Sequence, residues 1–266
     1  MQENDPSPVT TETRGAVLLV WIDNPPVNAL GHALRAALAG AIEAASLNPG
    51  VRAVALLAKG RTFPAGADIS EFGKPPQPPL LPDLCKLVES CPKPVVAGLH
   101  GTALGGGLEL ALSAHARIAL SDARVGLPEV GLGILPGAGG TQRLPRLIGA
   151  PAALRMMITG KPISAEEALS LGLLDRVVER DLADATVTLA LHMAANPPVP
   201  TRDRREGMAD AKAYFSAIAT ARAAQVGTAL PGPARIIDCV EAAMLLPFDQ
   251  GLAFERAAFA ELVVTP

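Results

Sequence analysis

The chain has 266 residues, 49% hydrophobic and 18% charged, with a formal net charge of -3. That apolar content can fill a substantial core and excludes a disordered chain. The slightly acidic balance offers no basic footprint for nucleic acid, so an anionic ligand would have to be held by local amides and a few cations.

In chain order, the leader M-Q-E-N-D-P-S-P-V-T-T-E-T-R is polar and acidic, unlike a targeting peptide, and reads as disordered. Residues 16–22 (A-V-L-L-V-W-I) read as a buried strand ended by the turn D-N-P-P. Asn28 is placed to cap a helix in which Leu30, Leu34, Leu38 and Ile42 recur on one face, stopped by N-P-G at 48–50. A second buried strand is expected at 53–58. Residues 73–82, G-K-P-P-Q-P-P-L-L-P, are too rich in proline for helix or sheet and read as a surface loop. A short helix to about Ser90 and a strand at 93–99 follow. Gly105, Gly106 and Gly107 then read as a tight start to a buried helix, L-E-L-A-L-S-A. A strand at 116–120, a loop carrying Glu129 and a helix closing at Gly149 come next. Helices are expected at 151–159 and 164–170, the latter opened by the capping box S-A-E-E, with a strand at 174–178 and a helix at 181–195. N-P-P-V-P at 196–200 is the clearest boundary, and beyond it the pattern is helical at 203–225, 233–245 and 249–263. The predicted organisation is an α/β core over residues 1–195 with an α-helical C-terminal region over 196–266.

Two acidic residues stand out. Between Lys93 and Arg117 the only charged residue of the Asp, Glu, Lys and Arg set is Glu109, and between Arg124 and Arg143 it is Glu129. Each lies in a glycine-rich apolar stretch without a counter-charge nearby in sequence. Burial of such a carboxylate raises its pKa, and two of them 20 positions apart suit a proton-transfer pair. Taken singly, either could be structural, and the three glycines a mere packing site. The cluster Gly131, Gly133, Gly137, Gly139 and Gly140 lacks the GxxxxGK[ST] and GxGxxG patterns of phosphate loops. There is no GxSxG elbow, and His100 and His115 read as core or surface histidines rather than a triad base. Cys85, Cys91 and Cys239 form no metal spacing, and their odd number fits a reduced, cytoplasmic chain. The apolar runs are too short and too interrupted by glycine to span a bilayer.

Four segments, F-P-A-G-A-D-I, K-P-V-V-A-G-L-H-G-T-A-L-G-G-G-L-E-L-A, G-L-P-E-V-G-L-G-I-L-P-G-A-G-G-T-Q-R-L and I-S-A-E-E-A-L-S-L-G-L-L-D-R-V-V, occur in order between about residues 15 and 195. Together they resemble the crotonase (enoyl-CoA hydratase/isomerase) family. The tail from G-P-A-R-I-I-D to A-F-A-E-L resembles the segment after the hydratase region of multifunctional β-oxidation enzymes. There it leads into a 3-hydroxyacyl-CoA dehydrogenase, a region this sequence lacks.

The resemblance implies a spiral of ββα units and an acyl-CoA thioester substrate, with coenzyme A as part of the substrate and no separate cofactor or metal. It implies an oxyanion hole of two backbone N–H groups, which fall on Ala67 and Gly106, and catalytic glutamates at Glu109 and Glu129. By that match Glu109 deprotonates the water attacking the β-carbon and Glu129 protonates the α-carbon, with 3-enoyl to 2-enoyl isomerisation as a second activity. Ala65 and Gly66 are candidates for CoA adenine contact. Lys59 and Arg61 are candidates for its phosphates, or ordinary solvated charges. Ile134, Leu135 and the proline-rich loop are candidates to shape the acyl pocket, and Asp68 is expected in a structural hydrogen bond. Stand-alone relatives imply a homotrimer or hexamer, whereas the tail resembles one that packs against its own core in multifunctional enzymes, which leaves the oligomeric state open. The alternatives are another crotonase-type reaction on an acyl-CoA and a non-catalytic acyl-CoA-binding module.

Overall fold

The computed structural model describes residues 7–71, 73–227 and 230–264, so the first six leader residues lie outside it. Its main sheet has six strands in the order β1-β2-β3-β4-β6-β9: β1 Val9–Arg14, β2 Val17–Ile22, β3 Ala53–Ala58, β4 Val95–Leu99, β6 Ala116–Leu120 and β9 Arg176–Val178. All neighbours run parallel except β1 and β2. Parallel strands are covered on both faces and so read as continuous apolar runs. In β3 Val54, Leu56 and Ala58 join the larger core, while Ala53, Ala55 and Leu57 join a second cluster. That second cluster is covered by α6, Leu182–Ala195. Gly98 lets the helix approach, because a Cβ there would lie 2.6 Å from Thr186 Oγ1.

The larger core is covered by α1 (His32–Leu47), α2 (Leu81–Glu89), the buried α3 (Gly106–Ser113) and α4 (Gly140–Thr159). Gly149, at φ 76° and ψ 165°, divides α4 where the sequence places the end of one helix and the start of the next. A small second sheet joins β5 (Thr102–Leu104), β7 (Arg124–Gly126) and β8 (Ile163–Ser164), and α5 (Ala165–Ser170) follows it. After the proline-rich segment come α7 (Ala211–Ala224), α8 (Pro231–Leu245) and α9 (Phe248–Val263). Residues of all three helices join the larger core. No helix among the described residues is long and apolar enough to cross a membrane.

Three expectations need correction. The end of the leader, from Val9, forms edge strand β1, registered from Val9↔Ile22 to Arg14↔Val17. Only Val9 of it is buried, so it shows no hydrophobic alternation, and its three threonines suit an exposed edge. Asn28 does not cap α1, which starts at His32 behind Gly31. Its buried side chain accepts from the Asn24 N–H and donates to the carbonyls of Lys59 and Thr62, at 2.7, 3.0 and 2.8 Å. The Glu71 carboxylate takes over the cap, accepting from the His32 N–H at 2.6 Å. The helix expected at 203–225 is two 3₁₀ turns, Thr201–Asp203 and Glu206–Met208, followed by α7. Gly207 is wedged against α4, where a Cβ would lie 2.3 Å from the Pro145 carbonyl oxygen, and Asp210 caps α7 through the Ala213 N–H.

Candidate active site

Two neighbouring parallel strands deliver the two isolated glutamates. β5 and β7 pair in register Leu104↔Gly126, and the Gly105 N–H donates to the Gly126 carbonyl at 2.9 Å. From β5 the chain turns through Gly105, at φ 51° and ψ -129°, into α3, which carries Glu109. That backbone conformation is open to glycine and costly for other residues. From β7 it passes into the 3₁₀ turn Glu129–Leu132. The A-G-A-D loop leaves the same end of parallel strand β3, the end at which open parallel sheets bind ligands.

Glu109 is 3% exposed, and both its hydrogen bonds fall on Oε1, from the Ala138 N–H at 2.7 Å and the Gly140 N–H at 2.8 Å. Burial raises its pKa, while those two amides and Arg143 pull it back toward the ordinary carboxylate range. Glu129 is treated differently. Its Oε2 is buried without a hydrogen-bond partner, and its pKa stands well above the usual range, through burial first and the charge of Glu109 second. Burial shifts both glutamates toward the neutral acid, and the two settings separate them: the amides and Arg143 oppose the shift at Glu109, while the charge of Glu109 adds to it at Glu129.

The carboxyl of Glu129 faces the glycine turn, since a Cβ on Gly105 would lie 3.0 Å from its Oε1 and 3.8 Å from the Gly66 Cα. A Cβ on Gly106 would lie 3.3 Å from the Ala67 nitrogen, which puts the two expected amide donors side by side. Neither N–H has a protein acceptor among the described residues. Gly106 opens α3, whose first-turn N–H groups point out of the helix toward negative charge. Gly107 packs tightly on the same loop, a Cβ there falling 1.8 Å from the Pro64 oxygen. Glu129, Ala67 and Gly106 therefore meet around residues 66–67 and 105–106, and Glu109 is near enough for its charge to act on Glu129.

Two further buried acids border the site. Glu89 is satisfied by Arg143, at 3.0 and 2.8 Å. Glu255, on α9, is 1% exposed and takes the Gly139 and Thr141 N–H groups at 2.7 and 3.0 Å, together with the Thr141 hydroxyl. Burial and then the nearby Glu109 push its pKa up to about 8, against those hydrogen bonds. Sequence reasoning missed Glu255. The signal was present: Gly251, Glu255, Ala258 and Leu262 are the buried stripe of α9, at helical spacing, and Glu255 is its one charged member.

The other candidates are more dispersed. Ala65 donates its N–H to Val27, and the Gly66 carbonyl accepts from Leu30, so both brace the loop. Lys59 is half-exposed beside Asp23, at 3.4 Å, and Arg61 is exposed. Ile134 and Leu135 are buried in the core after the Glu129 turn. Asp68 accepts from the Ser70 N–H, and the Ser70 side chain first and that N–H second draw its pKa down. His115 Nδ1 accepts from the Val95 N–H, and His100 bonds the Gly60 carbonyl. The three cysteines are free and buried. An open cavity of about 600 Å³ lies elsewhere, lined by residues including Leu147, Leu171, Arg204 and Tyr214.

Comparisons with known proteins identify the family of the chain. The zebrafish (Danio rerio) peroxisomal bifunctional enzyme is 44% identical over 249 residues, covering 93% of this chain and 34% of its own. A probable enoyl-CoA hydratase of Bacillus subtilis (strain 168) is 43% identical over 191 residues, covering 68% and 74% of the two chains. The chain thus spans about a third of the length of the bifunctional relative. Among solved structures, an enoyl-CoA hydratase/isomerase from Pseudoalteromonas atlantica T6c superposes with a TM-score of 0.71 at 28% identity, covering 97% of this chain and 92% of that one. The family model for enoyl-CoA hydratase/isomerase matches residues 12–227, and the chain belongs to that family.

Proposed function

We propose that this protein hydrates 2-enoyl-CoA thioesters to 3-hydroxyacyl-CoA, the hydration step of fatty-acid β-oxidation. The observation that carries the reading is the unequal treatment of two buried carboxyl groups beside two unclaimed amides. Glu109, as carboxylate, accepts a proton from water as the water oxygen bonds to the β-carbon. The π electrons move toward the thioester, and its oxygen, gaining enolate charge, is received by the Ala67 and Gly106 N–H groups. Glu129, as neutral acid, gives its proton to the α-carbon. Preorganised amides supply the largest share, since loss of one such donor lowers rates about 10²–10³-fold in comparable sites.

Glu129 combines a buried oxygen without a hydrogen-bond partner and a strongly raised pKa. That favours a second activity in which it moves a proton between the α- and γ-carbons of a 3-enoyl-CoA. Neither reaction as written calls for a redox cofactor or a metal, and coenzyme A enters with the substrate. A dehydrogenase region acting on the 3-hydroxyacyl product is the proposed partner, by analogy with the bifunctional relatives. Free buried cysteines support a reducing, cytoplasmic setting, and sedimentation distinguishes a monomer from a trimer or hexamer. The test is hydration of crotonyl-CoA by the purified protein and by Glu129→Gln. Turnover that falls at least 100-fold in the variant supports the assignment. Near-normal turnover ends it, and binding without hydration by the parent protein favours an acyl-CoA-binding module.

A further inference from the structure

Four successive amides at the start of α4 are shared alternately between two carboxylates. Ala138 and Gly140 donate to Glu109, while Gly139 and Thr141 donate to Glu255. The Thr141 hydroxyl, 2.5 Å from Glu255 Oε2, adds a third bond, and it also accepts from Gln142 Nε2 at 3.0 Å. Glu255 reaches this turn from a helix 116 positions further along the chain. Its neighbours on α9 press on the same segment. A Cβ on Gly137 would lie 2.6 Å from Phe259, and one on Gly139 would lie 3.2 Å from Leu252.

A buried carboxyl group on an otherwise apolar stripe is a destabilising choice for docking a helix, because an apolar side chain would do that better. Among the described residues the bonds to Glu255 come from two amides and a hydroxyl rather than from a cation. The guanidinium of Arg143, the nearest in the turn, is taken by Glu89 and the Ala138 carbonyl. What an apolar residue cannot do is hold the 139 and 141 amides, and so orient the 138 and 140 amides that lie between them.

We propose that Glu255 is a positioning residue of the hydration site, fixing the turn 138–141 on which Glu109 depends and placing a third carboxyl group beside Glu109 and Glu129. The inference rests on the hydratase reading above. The ionisable groups facing Glu255 are Glu109 on α3, Glu129 in its 3₁₀ turn, Arg143 on α4 and Cys239 on α8. A charge on Glu255 holds the proton on Glu129, so its effect appears on the alkaline side of the activity profile.

The experiment is Glu255→Gln, with Asp249→Asn, an exposed acid on the same helix, as control. In Glu255→Gln, kcat on crotonyl-CoA falls between about 10- and 100-fold with KM within about twofold, the size expected of a misplaced catalytic group. The alkaline limb moves to lower pH, because removing a negative neighbour eases ionisation of Glu129. Thr141→Val, which removes one donor and keeps the charge, lowers kcat less and leaves the limb in place. It serves as the test of the turn should Glu255→Gln fail to fold. An unchanged kcat and limb in folded Glu255→Gln overturns the inference, as does an unchanged kcat in Thr141→Val. If the parent protein itself does not hydrate, the function reading has failed. Titration of the Glu109 and Glu129 carboxyl carbons by ¹³C NMR in parent and Glu255→Gln then still decides this one, and identical curves refute it.

Discussion

Glu109→Gln separates chemistry from architecture cleanly, because the structure predicts that one survives and the other does not. Both hydrogen bonds to Glu109 fall on Oε1, from the Ala138 and Gly140 N–H groups. A glutamine carbonyl can accept the same pair, leaving its NH2 where Oε2 stood. The turn at 138–140 should therefore keep its shape, and KM should stay within about threefold of the parent. The lost function is general base catalysis, worth about 10²–10⁴ in rate, or roughly 3–5 kcal/mol at 1.36 kcal/mol per decade. Stability should move the opposite way. Glu109 is 3% exposed with its one nearby cation already paired to Glu89, so removing its charge removes a desolvation penalty. Thermal melting at neutral pH should be unchanged or raised. The assay is loss of enoyl-thioester absorbance on crotonyl-CoA, with calorimetry on the same preparation. Turnover within about threefold of the parent would refute the base assignment. A rate loss accompanied by a marked drop in Tm would refute the claim that Gln inherits both amide bonds.

Gly107→Ala places a methyl 1.8 Å from the Pro64 oxygen and 2.5 Å from its carbon, backbone atoms that cannot swing aside. Overpacking of that kind costs about 1–3 kcal/mol, a Tm lowered by roughly 2–12 °C, and kcat falls with it because Ala67 lies three residues beyond Pro64. A variant with parental melting and turnover would contradict the packing described. Stability should also fall as pH rises above the ordinary histidine range of about 6.5 toward 8. Glu255 has a folded pKa of about 8 against an ordinary 4.5, so the folded state binds the extra proton and its advantage is lost as that proton leaves. The loss over this window is about 2 kcal/mol, measured by urea midpoints in a pH series. Midpoints that climb from pH 6.5 to 8 would reverse the sign.

How far the fold can be read from residues depends on what each segment buries. β2 and β3 are legible because both faces are covered, which leaves uninterrupted runs such as A-V-A-L-L-A. β1 is illegible for the opposite reason. Five of its six residues are exposed, and its place is set by hydrogen bonding to β2 rather than by a pattern. β5, β7 and β8 are two or three residues long, too short to show a period, yet β5 and β7 aim both glutamates. Asn28 has the composition of a helix cap, but tertiary demand wins, because the carbonyls of Lys59 and Thr62 need a donor. The 203–225 region fails as a single helix because Gly207 is claimed by close contact with Pro145 and Gly149.

The site divides along the same line. Glu109 and Glu129 stand out in sequence as single charges in long neutral stretches. Glu255 does not, since Arg256 follows it and Glu261 lies one turn and a half beyond, so its helix looks ordinarily charged until the buried stripe is traced. Which glutamate holds the proton follows in sequence only from the family resemblance, because composition and spacing show the same residue twice in similar surroundings. Folding resolves it through the backbone: two amides on one oxygen of Glu109, none on the buried oxygen of Glu129. With Arg143 committed to Glu89, three neighbouring carboxyl groups have no spare cation among the described residues. Their mutual repulsion disfavours ionising all three together and so favours keeping at least one as an acid. The asymmetry that hydration requires is thus a consequence of where α4 begins, and any change that frees an amide at residues 138–141 should disturb acid and base together.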